Sequence, residues 1–569
     1  MNFFFRKMPG HLFFIINQSI YVCLRINLKH FFNNAFCSSV SGEPVMYDCN
    51  FHSHIIADDD LLIKTQKYRI LFFMNRILKL FLISAAVSSF LTFPLHAQSS
   101  VSETSGEEGQ ILHNYEAGDI RFSEDTLFSH HGERHYITAA TGMFVPTVVL
   151  SLWNRYASGS GWAKVDYARN FNRIKNGTVK WEWDTDWYWT NFVLHPYQGQ
   201  LSYSAFRTAN FSQFESILAA TFGSFVWETM CENNTPSLND MVYTSLGAWP
   251  MGEMLHRLSF EADEAWGPLR FLITPMRIWN EGITGDRPYG THGNIKELSF
   301  YTGFGAANGV NDAADYEKAD EVYPLFASLG LNVVYGDSFY HDSNDPFSAF
   351  NLSIGGSLGK GCGEGYRALE KDLMHNLYIF SDGWVLSRSV AESDGRDTTV
   401  GLIFDYDFLW HSFMNFSTLA PGFAVKQRFT GEKAKVEWEL HLDAVVLGTH
   451  DVWYYRRGII DSDRIYKAYN YSVGGEAVAA VRYKFHDGPA FVLNDHFYAF
   501  YDFKDAKHEV EPGVSVFNYL RGEVTFPVSE EIDLGAENIL YSAYSVFDEY
   551  PDIASLMYSA GFFVRYNLK

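Results

Sequence analysis

The chain has 569 residues, of which 47% are hydrophobic, 17% aromatic and only 20% charged, with a formal net charge of −23. That length exceeds one ordinary soluble core, so several domains or one large barrel are expected. The acidic balance argues against a nucleic-acid partner. The cysteines, Cys23, Cys37, Cys49, Cys231 and Cys362, show neither a metal-ligand spacing nor a paired framework.

In chain order, the first legible signal starts at Met74, in MNRILKLFLISAAVSSFLTFPLHAQSS. Arg76 and Lys79 make a basic start, Leu80 to Phe93 an apolar stretch, and Ala97 a small residue before Gln98. These are the parts of a secretory signal peptide, expected over 74–97. Signal peptides begin at the true start, so residues 1–73 read as a mis-assigned upstream leader. Residues 98–134, opening QSSVSETSGEEGQ, read as a flexible polar linker.

His135 to Tyr156 is apolar but interrupted by Gly142 and Pro146, and it is expected as a kinked helix buried in protein rather than a membrane span. Further on, Glu215, Ile217, Leu218, Phe222, Phe225, Val226 and Met230 have helical spacing, and Ser237 with Asp240 three residues later caps a second helix. Residues 135–265 are therefore expected to form a helical segment.

From about Asn294 the pattern becomes strand after strand, and residues 266–569 are assigned to a barrel. In AKVEWELHLDAVVLG, Val436, Trp438, Leu440, Leu442, Ala444 and Val446 share one face, and Glu437, Glu439, His441 and Asp443 share the other. YSVGGEAVAAVRYKF sets Tyr471, Val473, Ala477, Ala479, Val481, Tyr483 and Phe485 against Glu476, Arg482 and Lys484. These runs exceed the ~5–6 residues of a soluble strand and match the ~9–11 needed to cross a bilayer. The C-terminal SLMYSAGFFVRYNLK places Leu556, Tyr558, Ala560, Phe562, Val564, Tyr566 and Leu568 on one apolar face, as expected of a lipid-facing strand that closes the barrel. The fold expected is mainly β: a C-terminal antiparallel outer-membrane β-barrel of about 12 strands, its lumen plugged by the helical segment. A secreted soluble β-protein is the alternative.

The run Asp184-x-Asp186, Asn191, His195-Pro196-Tyr197-x-Gly199, Arg207, Trp227-Glu228, Pro236-Ser237-x-Asn239-Asp240, Thr244, Gly247 and Gly252-Glu253 resembles the domain of unknown function 3943 family. The resemblance covers about Asp184 to Arg257. It implies an exported envelope protein of a Gram-negative bacterium and brings no established activity.

The candidate polar cluster is Asp184, Asp186, Asn191, His195, Arg207, Glu228, Asp240, Glu253, His256 and Arg257, expected as one paired network between plug and barrel wall. Glu253-x-x-His256 occurs once, whereas di-metal bundles need two copies, so no metal and no cofactor are assigned. An outer-membrane enzyme acting on lipid or glycan through an Asp/Glu/His site is the alternative function; no Gly-x-Ser-x-Gly accompanies that cluster. The partners expected are outer-membrane lipid and the barrel-insertion machinery.

Overall fold

The computed structural model describes residues 125–569, except 185, 266, 314–318, 340–341, 363–372, 394, 452–468, 503–512, 548–550 and 569. The expected leader, signal peptide and most of the linker lie outside the described residues.

Twelve antiparallel strands close into a barrel: β1 (Ile295–Ala313), β2 (Ala319–Tyr335), β3 (Phe350–Cys362), β4 (Leu373–Ser393), β5 (Arg396–His411), β6 (Phe416–Thr430), β7 (Ala434–Asp451), β8 (Tyr469–Phe485), β9 (Ala490–Asp502), β10 (Gly513–Pro527), β11 (Ile532–Phe547) and β12 (Ile553–Asn567). The strand count matches expectation. Each strand pairs with its chain neighbours, and β12 returns to β1 with Phe304 opposite Phe562. Closure leaves no unpaired sheet edge, the condition for β-structure in hydrocarbon. One end carries mostly short turns, as at 431–433, 486–489 and 528–531.

Alternation sorts the side chains as the sequence pattern implied. Phe423, Leu442 and Phe562 point outward and are 70%, 56% and 63% exposed. The inward face is polar toward the short-turn end and aromatic toward the other. There the Tyr301 and Tyr378 hydroxyls meet across the lumen. Phe380 stacks on His496 (4.9 Å) and meets Tyr519 (5.1 Å), and Phe416 packs on Tyr498 (4.6 Å). Phe413, Met414, Phe500, Phe517 and Met557 complete a buried layer. Below it a chamber of about 600 Å³ occupies the short-turn half of the barrel.

The helical segment comprises α1 (Tyr136–Leu152), α2 (Tyr167–Lys175), α3 (His195–Arg207), α4 (Gln213–Val226), α5 (Leu238–Leu246), α6 (Ala248–Ala265), α7 (Leu269–Ile273) and α8 (Met276–Thr284). Ser212 and Glu215 form a capping box at α4, and Ser237 caps α5 by accepting from the Asp240 N–H. The segment extends past the expected boundary at 265. Fully buried Arg277 of α8 donates to Asp263 of α6 (2.9 Å) and to Glu281 (2.6 Å), which binds α8 to the helices and delays the first strand to Ile295.

This segment does not plug the lumen. On β5, Asp405 and Asp407 face inward, so Phe404, Tyr406, Phe408 and Trp410 face outward. Tyr188 stacks on Phe408 (5.4 Å), Trp189 lies parallel to Trp410 (6.5 Å) and Trp249 meets Phe404 edge-on (5.7 Å). The helices therefore dock on the outer wall. The physical reason is volume and polarity: the barrel's own side chains fill the upper lumen, whereas the outer wall of β2–β8 offers a continuous apolar surface.

Helix α1 also departs from expectation. With the following turn it forms a 22-residue apolar helix, Tyr136–Ala157, long and apolar enough to cross a membrane, and only 28% of its apolar window is buried. Its Gly142–Met143 side packs on α3 and α4, while Val145, Val148, Val149 and Leu152 are exposed.

Candidate functional site

The ten candidate residues separate into two clusters at opposite ends of α3. His195 opens that helix and Arg207 closes it, roughly 18 Å apart at 1.5 Å per residue.

The first cluster lies at the seam between helices and barrel wall. Two π-helical turns, Thr190–Leu194 and Trp227–Cys231, deliver Asn191 and Glu228 to it. Such turns often mark functional sites. Asp184 Oδ1 is the hub, accepting from Asn191 Nδ2 (2.7 Å), Asn239 Nδ2 (2.8 Å) and the Tyr471 hydroxyl (3.1 Å). Asn191 Nδ2 also reaches the Tyr469 and Tyr471 hydroxyl oxygens (2.8 and 3.0 Å). Glu228 Oε2 accepts the Ser237 N–H at 2.7 Å. His195 Nε2 is 3.5 Å from Asp240 Oδ1 and makes no hydrogen bond, and Asn191 Oδ1 is likewise buried without a partner. Asp186 contributes its carbonyl, which accepts from Tyr469 (2.7 Å), while its side chain is exposed.

This cluster is acidic. Burial, with Asp184 and Glu228 nearby, pushes the Asp240 carboxyl well above the ordinary carboxylate range. Burial and the neighbouring Glu232 do the same to Glu228, and burial pushes the His195 imidazole down. The arrangement sets several buried carboxyls around a buried imidazole.

The second cluster is built on ion pairs and lines a cavity of about 400 Å³. Glu253, with no exposed surface, accepts from the Tyr203 hydroxyl (2.7 Å), Arg207 Nε and Nη2 (2.9 and 3.2 Å) and Arg257 Nε (3.0 Å). Arg257 continues to both oxygens of Asp345 at 2.9 Å, in the 336–349 turn, where Gln213 Nε2 also binds at 3.0 Å. That turn reaches both compartments, since Phe339 lies under Arg428 in the lumen (4.1 Å) and Phe347 packs on Trp249 outside (5.3 Å). His256 is buried with its ring edge-on to Phe260, and its Nδ1 has no hydrogen bond. With its carboxylate saturated by guanidinium and phenol, Glu253 has no lone pair to offer a metal, so Glu253-x-x-His256 works as a structural joint.

Of the ten residues, Asp186 is exposed and the other nine are buried or half-buried, and they stand in two clusters where one network was expected. The sequence reading passed over Asn239, Tyr203, Asp345 and the two tyrosines of β8. Asn239 stood inside the motif; Tyr471 read as apolar surface and Tyr469 was not singled out, because their hydroxyls gain meaning only with a docked partner. Gly199 of the same motif is explained by packing, since a Cβ there would sit 1.9 Å from the Thr244 carbonyl oxygen. A Gly-x-Ser-x-Gly run does occur, at Gly355–Gly359, but Ser357 lies within β3 facing the lumen rather than on a strand-to-helix elbow.

A third group, of which the sequence showed only His441, Asp443 and Glu476 on the charged faces of two strands, lies in the lumen beneath the aromatic layer. Asp405, His441 and Asp443 hold ligand atoms within 4.8 Å of one another, as do Asp407, Glu476 and His496.

Residues 180–268, which carry the helical residues of both clusters, match the family described as Domain of unknown function (DUF3943). No curated protein matches the chain. Among solved structures, it is similar to an outer membrane channel from Pseudomonas putida F1 (TM-score 0.26, 8% identity, covering 48% of this chain and 94% of that one). It is similar to the P. putida toluene transporter TodX (TM-score 0.21, 8% identity, 48% and 90%) and to the outer membrane protease OmpT from Escherichia coli (TM-score 0.19, 6% identity, 48% and 97%).

Proposed function

We propose that this protein is an outer-membrane barrel of a Gram-negative bacterium that binds a ligand in a closed lumen instead of conducting. The observation that carries this reading is the cross-lumen aromatic layer, with Phe380, Phe416, Tyr498 and Tyr519 in mutual contact over the chamber. An open pore of twelve strands needs a lumen free of such contacts. The outward apolar belt faces acyl chains, and the short-turn end faces the periplasm, as is usual for such barrels. The helical domain then lies against the barrel within the bilayer, its exposed Val145, Val148, Leu218 and Phe222 toward lipid. Outward Tyr469 and Tyr471 support this, because phenols in lipid would lack the partners that Asp184 and Asp186 supply. The test is a planar-bilayer recording of the full-length refolded protein. No steady conductance is expected, and reproducible ohmic steps overturn the reading.

A second reading, an outer-membrane enzyme acting on lipid, is favoured by the unpartnered His195 Nε2 beside Asp240 at the seam. His195→Gln and Asp184→Asn should then alter lipid composition while leaving the fold intact, and an unchanged lipid profile removes it.

A further inference from the structure

We propose that the lumen cluster of Asp405, Asp407, His441, Asp443, Glu476 and His496 binds a divalent transition-metal cation. The inference deepens the closed-lumen reading by naming its ligand class. Ion pairs alone explain part of the cluster: His441 Nδ1 lies 2.9 Å from Asp405 Oδ2, and His496 Nδ1 lies 3.1 Å from Asp407 Oδ2. They leave Asp443 and Glu476, whose four carboxylate oxygens are buried and meet no basic, amide or hydroxyl donor among the described residues. These residues are 7% and 4% exposed. They also stand directly opposite each other on β7 and β8, where like charges repel.

Four carboxylates against two imidazoles leave an excess of negative charge even with both imidazoles protonated. Lys426, which lines the same chamber, is engaged by Glu439 at 3.3 Å. The backbone is shaped around Asp443. The β6–β7 register shifts between Leu419 and Gly422, beside Pro421, and a Cβ on Gly422 would fall 1.8 Å from Asp443 Oδ1. Each half of the cluster offers one imidazole nitrogen and two carboxylates. That donor set suits Zn²⁺ or Mn²⁺ and is poorer for Mg²⁺ or Ca²⁺, which take oxygen ligands. Asp405, Asp407, His441 and His496 line the deep end of the chamber, which gives an ion a route from the short-turn end.

The test uses full-length protein refolded in detergent micelles, stripped with EDTA, then titrated with ZnCl₂ or MnCl₂ and with MgCl₂ for comparison. Retention of one or two equivalents of Zn²⁺ or Mn²⁺ after desalting is expected. Affinity should fall at least tenfold in Asp443→Asn/Glu476→Gln and remain unchanged in Glu530→Gln, a turn residue. Heat-modifiable gel mobility checks the fold of each variant. Should the double variant not fold, Co²⁺ in the wild type answers the same question: d–d bands of an imidazole–carboxylate site support the proposal, and the spectrum of the aqua ion overturns it. No retained metal, or equal retention in the folded double variant, also overturns it. A conducting barrel that retains metal sinks only the closed-lumen reading, and a silent barrel without metal sinks only this one.

Discussion

Glu253→Ala is the sharpest probe of how the helical domain is held together. The carboxylate has no exposed surface and accepts from Tyr203, from Nε and Nη2 of Arg207 and from Arg257. Among the described residues, removing it leaves Arg207 with the Phe211 carbonyl (3.2 Å), whereas Arg257 keeps Asp345. One stranded buried cation corresponds to about 3–5 kcal/mol, a large part of the ~5–15 kcal/mol of a typical domain. The assay is denaturant unfolding in micelles followed by tryptophan fluorescence, with gel mobility reporting the barrel separately. Glu253→Ala should lower the helical transition and leave the barrel closed; Glu253→Gln, which keeps an acceptor, should lose less. Burial alone would raise this carboxyl, but Arg207 and Arg257 outweigh it and hold it well below its ordinary 4.5. A depressed folded-state value contributes stability above the unfolded-state value and loses it as pH falls. The gap between wild type and alanine variant should thus be flat from pH 8 down to about 4.5 and narrow below that. A gap under about 0.5 kcal/mol at pH 7 would refute the reasoning.

Mass spectrometry of the envelope protein should find an N-terminus at or near Gln98, and peptides from residues 1–73 in the mature protein would contradict the signal-peptide reading. The protein should fractionate with the outer membrane and show heat-modifiable mobility; release into the soluble periplasmic fraction without detergent counts against a lipid-facing barrel. Trp153, Trp187 and Trp189 are 64%, 57% and 47% exposed. Bromine-labelled acyl chains should quench them, and quenching confined to aqueous agents would place the helical domain outside the bilayer. Tyr469→Phe and Tyr471→Phe should each weaken docking of the helices by roughly 1 kcal/mol, the usual value of a hydrogen bond; unchanged helical unfolding in the double variant removes the seam as a structural contact.

The strands were legible because a period of two needs only local sequence. Glu437, Glu439, His441 and Asp443 had to share a face whatever they touched, and the terminal run from Leu556 to Leu568 had to be a strand. The caps at Ser237 and Asp240 were legible for the same reason, since a cap is satisfied within four residues. What faces what is a different kind of fact. An apolar outer wall reads identically whether lipid or helices cover it, so only the tertiary structure decided that Phe404, Tyr406 and Phe408 receive Tyr188, Phe192 and Trp249. Whether the lumen had room for a plug depended on inward side chains from non-adjacent strands, such as Phe380 of β4 meeting His496 of β9, a contact no local pattern encodes. The split of the polar residues followed from the length of α3, which holds His195 and Arg207 too far apart for one network. Asp443 and Glu476 show the same limit, for each is an ordinary inward strand residue until register sets them face to face.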